Sequence, residues 1–442
     1  MITGESVKKG HSQYNLQSWS KQRNLNPLAI EKTEGIYLYD FEGERYTDMS
    51  SQLVNMNLGH SCKEIVDAIK EQADKFCFLM PSYAAESRSV LAQKLVDIMP
   101  DNIGKVFFTN GGADANENAL KAARMYTGRN KVFSRYRSYH GSTFGAGNLT
   151  GEPRRFACEP GIAGFVKFFD PYVYREQISF ASDEEAGNFY LGKLREQILY
   201  EGPEQVAAIF LETVTGSNGV IIPPGNYLPG VRKLCDEFGI IMVLDEVMTG
   251  FGRTGKMFAF EHWGVKPDII AFAKGVTCGY VQLGGMAVSG AIAEYFDDNT
   301  LMCGLTYSGH PLACAAGVAC VDYFANNDVL GNVNKVGKVL GDLLEDQKNK
   351  HASVGDVRYI GLFSAVELVR DKATKEPLVP YGKDPDGKMG KILGLLRARK
   401  FLTYTHENMI LIAPPLIITG EQIREEIAKL DEVLTIVDQE MR

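Results

Sequence analysis

Three apolar runs end in groups that could do chemistry together. Ile269 to Ala273 runs straight into Lys274-Gly-Val-Thr-Cys-Gly-Tyr, which sets a lysine between an apolar strand and a glycine-flexible turn. Partial desolvation there lowers an amine's pKa and makes it a nucleophile toward a carbonyl. Ile240 to Leu244 delivers Asp245-Glu-Val at its carboxyl end, followed by the glycine-rich Thr249-Gly-Phe-Gly-Arg-Thr-Gly, so a carboxylate stands at the same edge. The run ending at Thr109 opens through Asn110-Gly-Gly-Ala into an Ala-rich helix, whose first N–H groups and positive dipole end favour an anion. Singly, each has a plain alternative: a surface lysine, a capping or magnesium-binding aspartate, a turn with no ligand. The glycine turn is neither a Walker loop nor G-x-G-x-x-G, so nucleotide binding lacks its usual support.

These groups require a scaffold that brings strand ends to one edge. Between about 105 and 320, short apolar runs (Lys105-Val-Phe-Phe-Thr, Lys131-Val-Phe-Ser, Val206-Ala-Ala-Ile-Phe-Leu and the two above) alternate with helical stretches. That pattern predicts an α/β domain with a mostly parallel sheet covered on both sides, in which ligands gather beyond the carboxyl ends of the strands. Gly35 to Asp48 reads as a hairpin, and Cys62 to Lys75 and Ser87 to Met99 as amphipathic helices. From about 328 a smaller α+β domain is expected, with helices near 387–399 and from Glu421, and a polar excursion from Asp371 to Lys388. The expected division is 1–60, an N-terminal segment joining the small domain; 61–327, the large domain; and 328–442, the small domain.

Composition narrows the function. The 442 residues are 45% hydrophobic with a formal charge of −8, and no basic stripe marks a nucleic-acid partner. The longest apolar stretch, Pro311 to Ala325, is interrupted by Asp322 and is too short to span a membrane. Met1 to Tyr14 lacks the apolar core of a signal peptide, so a cytoplasmic enzyme acting on small molecules is expected. The eight cysteines form no C-x-x-C pair, no metal site is expected, and His60, His262 and His310 are read as structural.

An amine for an aldehyde, a carboxylate to keep a pyridine nitrogen protonated and an anion site for a phosphate are together what pyridoxal 5'-phosphate requires. The chain also resembles the class III, or ω-amino-acid, aminotransferases of fold type I. The resemblance is carried by Asn110 to Asn116, Ser138-Tyr-His-Gly-Ser-Thr, Leu211-Glu-Thr, Leu244-Asp-Glu-Val-Met-Thr-Gly-Phe-Gly-Arg-Thr-Gly, Ala273-Lys-Gly, Leu305-Thr-Tyr-Ser-Gly-His-Pro and Ala413-Pro-Pro-Leu. It implies a seven-stranded, mostly parallel sheet in the large domain. It also implies that Lys274 is the Schiff-base lysine and proton shuttle, Asp245 the partner of the pyridine nitrogen, and Glu212 the acidic residue beside the cofactor. Val247 and Tyr139 would cover the two ring faces and Gly112 and Ala113 would hold the phosphate. Thr306 would reach the phosphate of a neighbouring subunit in a homodimer.

Departures from the family pattern bear on substrate. Ala113 replaces a frequent serine, and Met248 stands where 4-aminobutyrate-type members often carry glutamine. Leu411 stands where ornithine-type members often carry an arginine for a substrate carboxylate, which points to β- or ω-amino donors. Gln17-Ser-Trp-Ser-Lys-Gln, Ser51 to His60 and Thr405-His-Glu-Asn are similar to the subgroup of taurine:2-oxoglutarate and 3-aminobutyryl-CoA aminotransferases. The expected reaction moves an amino group from such a donor to a 2-oxo acid, 2-oxoglutarate foremost, with a slight preference for a β-amino acyl-CoA donor. Trp19 and Val54 are expected as apolar pocket walls and Arg155 as an anion partner. The competing readings are a pyridoxal-phosphate lyase or aminomutase of the same fold and a non-catalytic regulator. The regulator reading is opposed by the retained lysine and aspartate and by the lack of a basic helix-turn-helix segment.

Overall fold

The computed structural model describes residues 2–441. Its centre is a seven-stranded sheet built from β1 (Ile103–Thr109), β2 (Lys131–Arg135), β3 (Phe165–Phe168), β4 (Val206–Glu212), β5 (Ile241–Asp245), β6 (Ile269–Phe272) and β7 (Gly284–Ser289), in the order β1-β7-β6-β5-β4-β2-β3. β7 is antiparallel to both its neighbours, while β6, β5, β4, β2 and β3 pair in parallel.

The period-2 geometry of a strand sorts these apolar runs onto two faces. Ala208, Phe210, Val243, Ile269 and Met286 pack with Ala119, Leu120, Ala122 and Ala123 of the helix Gly112–Thr127. Their alternates Ile209, Leu211, Met242, Leu244 and Ile270 face the larger core with Tyr227, Leu228 and Val231 of the helix Tyr227–Phe238. Every residue of β4 and β5 is buried. At about 1.5–3 kcal/mol for each large side chain removed from water, the sheet's position is fixed by burial on both faces.

Two strands had no clear sequence signature. β3, Phe-Val-Lys-Phe, is a short edge strand, and β7, Gly-Gly-Met-Ala-Val-Ser, opens on glycines that ordinarily argue against a strand. The close packing explains them: a Cβ on Gly284 would stand 2.6 Å from the Gly111 carbonyl carbon, and one on Gly285 2.5 Å from Phe272 Cζ.

The hairpin lies at Tyr37–Asp40 and Arg45–Asp48, joined by Ile30–Glu34 and, in parallel, by the distant Phe401–Leu402. Val354–Ile360, Phe363–Asp371, Met409–Ile412 and Thr405–His406 form a third sheet, with Glu376–Pro377 of the excursion pairing back onto it. The helices Val329–Lys350 and Gly420–Glu440 pack together against this region, the latter opened by a Thr419 capping box.

Arg253, fully buried in the glycine-rich loop after β5, ties the parts together. It donates to the Leu362 carbonyl (3.0 Å), the Pro414 carbonyl (2.6 Å), Ser51 Oγ (3.0 Å) and Asn57 Oδ1 (2.9 Å). Among the described residues no helix is long and apolar enough to cross a membrane, and no group of His, Cys, Asp or Glu could hold a metal ion.

Candidate active site

Strand register brings the acidic groups together. Glu212 at the end of β4 is the in-register partner of Asp245 at the end of β5, and Asp245 pairs on its other side with Ala271 of β6. The chain leaves β6 through Ala273 into a single 3-10 turn, Lys274–Val276, with Lys274 at φ 46°. A non-glycine residue in this left-handed region is held there by its surroundings and is a mark of functional sites.

Lys274, Asp245 and Glu212 line one cavity of about 880 Å³ with Gly112, Ala113, Tyr139 and Val247. Burial lowers the Lys274 amine from 10.5 to about 8, although Asp245 and Glu212 nearby favour its charge. Asp245 is almost wholly buried; its Oδ2 accepts from Asn116 Nδ2 and stands against His140 Nδ1, both at 2.7 Å, and its Oδ1 accepts from the Val247 N–H at 3.0 Å. Glu212, also buried, accepts from the Tyr139 N–H (3.0 Å) and the Gly216 N–H (2.7 Å). Its carboxyl pKa is raised by burial, partly opposed by His140.

At the far end the helix Gly112–Thr127 begins without a side-chain cap, because its N-cap is Gly111. The first-turn N–H groups of Gly112 and Ala113 are thus left for an anion in the cavity. A Cβ on Gly112 would lie 2.8 Å from Val247 Cγ1, so glycine is what lets the helix start approach that side chain. These residues fit pyridoxal phosphate: a buried amine of lowered pKa, a hydrogen-bonded carboxylate and the N–H groups of an uncapped helix start open onto the same space, with Val247 and Tyr139 as walls.

The substrate-side expectations divide. Trp19 lines the cavity, 60% exposed, edge-on to Tyr139 at 6.3 Å between ring centroids. Val54 is corrected: it is 1% exposed and packs with Val214, Val220, Phe363 and Leu411, while Leu53 lines the cavity. The kinked turn around it, with Gln52 and Val54 both at φ 58°, rotates Val54 inward. Leu411 is likewise sealed in that apolar cluster and does not line the cavity.

Arg155 is corrected by one position. It bonds Glu159 Oε1 (3.0 Å) and the Gly151 carbonyl and lines a separate cavity of about 360 Å³. Arg154 is the arginine in the site: its guanidinium lies 3.9 Å from the Tyr139 ring centroid and 5.3 Å from that of Trp19, donates from Nε to Glu152, and donates from Nη2 to Ser217 Oγ at 3.0 Å. Successive residues of a 3-10 turn point in different directions, and sequence alone could not choose between adjacent arginines.

Sequence reasoning also missed Asn116, His140, Ser217, Tyr404 and His406, all of which line the cavity. His140 was within reach, being adjacent to Tyr139 in a recognised stretch. His406 is held neutral, its pKa lowered to about 4 by burial and then by Arg154 and Arg137. His60 pairs with Asp48 (2.9 Å) and His262 with the Thr254 carbonyl (3.1 Å), both outside the cavity lining. Thr306 is exposed and does not reach the cavity of its own chain.

An amine and a carboxylate converging with a helix N-terminus at the carboxyl edge of a mostly parallel sheet define a fold-type-I pyridoxal-phosphate enzyme. The chain belongs to the class III aminotransferase family, whose sequence profile matches residues 19–434. It is similar to the taurine:2-oxoglutarate aminotransferase of Bifidobacterium kashiwanohense, solved with PLP and glutamate, at 54% identity and a TM-score of 0.98 over 100% of both chains. It is also similar to an (S)-enantioselective ω-transaminase of Thermomicrobium roseum, at 35% identity, a TM-score of 0.94 and 99% coverage of each chain. The taurine–pyruvate aminotransferase of Bilophila wadsworthia is 31% identical over 440 residues, 95% of each protein.

Proposed function

We propose that this aminotransferase moves the amino group of a short β-amino acid of the taurine type to 2-oxoglutarate, giving glutamate. The observation that carries this reading is Arg154, a cation fixed by Glu152, Ser217 and two aromatic rings at the wall of the cavity that Lys274 also lines. The similarity to the taurine:2-oxoglutarate enzyme supports the donor and the acceptor. A β-amino acyl-CoA offers Arg154 no anion next to the reacting carbons, so the preference drawn from sequence passes to the sulfonate or carboxylate donor.

Bound pyridoxal phosphate supplies an aldehyde that condenses with amines and a protonated ring that draws electrons from the bond to be broken. Gly112 and Ala113 would hold the phosphate through their N–H groups. Asp245, positioned by Asn116, His140 and the Val247 N–H, would hold the proton on the ring nitrogen. Lys274 would hold the aldehyde through its amine, whose pKa burial lowers to about 8, and as a free amine would take and return a proton at the donor carbon that bears nitrogen. Glu212 orients Tyr139 through its backbone, and Tyr139 with Val247 excludes water from the ring faces.

The functional unit in this reading is a homodimer, with Thr306 completing the neighbour's phosphate site. Its support is an exposed aromatic pair beside Thr306, Phe78 (45% exposed) and Tyr307 (57% exposed), with ring centroids 5.9 Å apart. The division at residues 1–60, 61–327 and 328–442 belongs to the same reading, supported by the pairing of Arg45–Asp48 with Phe401–Leu402.

The test is a donor panel. Taurine, β-alanine and 3-aminobutyryl-CoA are each incubated with holoenzyme and 2-oxoglutarate or pyruvate, and glutamate, alanine and the carbonyl products are measured. Glutamate formed in step with the aldehyde from taurine is the expected result. Donor consumption without amino-acid product would point instead to a lyase or mutase.

A further inference from the structure

Arg154 accounts for an anion but not for which anion. Sulfonate and carboxylate both carry one negative charge, yet a sulfonate presents three oxygens in a tetrahedral array and a carboxylate two in a plane. A site that prefers the former needs a third donor placed out of the guanidinium plane.

One such donor lies beside Arg154. Ser217 faces the cavity from the turn that follows β4, and its Oγ accepts from Arg154 Nη2 at 3.0 Å. A guanidinium has no lone pair to offer in return, so the serine O–H proton is left for another acceptor. The turn is rigid: the Gly216 N–H is bound by Glu212 Oε2 (2.7 Å), the Gly219 N–H by the Gly216 carbonyl (3.0 Å), and Thr215 bridges Ile221. The guanidinium is equally constrained, since Glu152, itself 1% exposed, takes Nε and the rings of Tyr139 and Trp19 lie against it. Arg154 Nη1 meets no acceptor among the described residues, so Nη1 and the second hydrogen of Nη2 form the edge that remains for a ligand.

We infer that Ser217 is a specificity-determining residue: its hydroxyl donates to the third oxygen of a sulfonate whose other two oxygens are held by Arg154, so the site selects β-amino sulfonates over β-amino carboxylates. This rests on the taurine-type donor proposed above. His406 does not supply that donor, because its Nε2 stands 3.2 Å from Asn218 Oδ1 and the ring is neutral, which leaves its other nitrogen an acceptor.

Wild type, Ser217→Ala and Ser217→Thr are compared as holoenzymes in two measurements. Steady-state kcat/KM is determined for taurine and β-alanine with 2-oxoglutarate, and calorimetry measures binding of ethanesulfonate and propionate, which carry the anion without the amine. Loss of one hydrogen bond to a charged group predicts that Ser217→Ala lowers the taurine-to-β-alanine preference, and the ethanesulfonate-to-propionate affinity ratio, by about tenfold. Ser217→Thr, retaining the hydroxyl, restores both ratios. Equal losses for both anions would assign Ser217 to steadying Arg154 alone, and unchanged ratios would show that the hydroxyl does not reach the ligand; either overturns the inference. If wild type uses β-alanine but not taurine, the donor reading fails together with it. If taurine is a donor and the ratios stay fixed, only the role of Ser217 fails.

Discussion

His140 is locked to Asp245: the Nδ1 of the first lies 2.7 Å from the Oδ2 of the second, with both side chains buried. Asn116 meets the same oxygen at the same distance. Asp245 is thus held in place by two neighbours, either of which leaves the other in place when removed. Asp245→Asn should lower the rate of the donor half-reaction by about a thousandfold, the scale of losing a preorganised charge at the reacting group. His140→Ala, with Asn116 still bonded, should cost about tenfold. Stopped-flow absorbance of the bound cofactor reads both, and a larger loss for His140→Ala would contradict the assignment.

The lowered pKa of Lys274 has a definite direction in pH. An amine with a pKa of about 8 is half neutral at pH 8, whereas at the usual 10.5 only about 0.3% would be neutral. Covalent attachment of pyridoxal phosphate to the apoprotein, trapped with borohydride, should therefore accelerate from pH 7 to about 8.5 and then level off. A rate still rising tenfold per pH unit at pH 9.5 would mean that burial does not depress the amine. Lys274→Ala should abolish the trapped adduct.

Gly112→Ala tests the cradle without touching a titrating group. The new methyl would stand 2.8 Å from Val247 Cγ1, so the helix start or Val247 must move. Overpacking of this kind costs about 1–3 kcal/mol, and the displacement falls on two groups proposed to hold the cofactor. Equilibrium dialysis should show cofactor affinity reduced by at least about tenfold.

Arg253 is expected to matter for stability rather than for chemistry. Burial depresses its pKa to about 9, and its four hydrogen bonds reach the N-terminal segment, the Leu362 turn and Pro414. Arg253→Leu leaves those acceptors buried without a donor and should cost about 3–5 kcal/mol. Urea denaturation followed by intrinsic fluorescence measures it; a change under 1 kcal/mol would show that water or relaxation replaces the arginine.

The candidate groups were legible because they sit at strand ends. Apolar runs such as Ile-Ile-Ala-Phe before Lys274 mark both a buried strand and the residue that leaves it, so Lys274, Asp245 and the glycine turn could be read before any contact was known. What could not be read depended on direction. Arg154 and Arg155 have the same chemistry and differ in which way a 3-10 turn aims them. Val54 and Leu53 differ by a backbone φ that is unusual for either. β7 was hidden because its glycines serve close contact with Gly111 and Phe272, a tertiary demand that local propensity opposes. Asn116 and His140 lie in stretches that carry the resemblance, but their contacts with Asp245 are made between distant parts of the chain and leave no local pattern.

The place of β7 in the sheet also orders events in time. β1, whose end opens into the phosphate cradle, is an edge strand attached to the sheet only through Gly284–Ser289. During synthesis the cradle is made early but has nothing to pair with until the chain past Ser289 has emerged, and long-range pairing of this kind is slow. The lysine turn at 274–276 is made just before that strand. The helix start that follows β1 is therefore tied to the strands that end in Asp245 and lead to Lys274 only through β7, so a chain cut short of Ser289 would lack the strand that joins them.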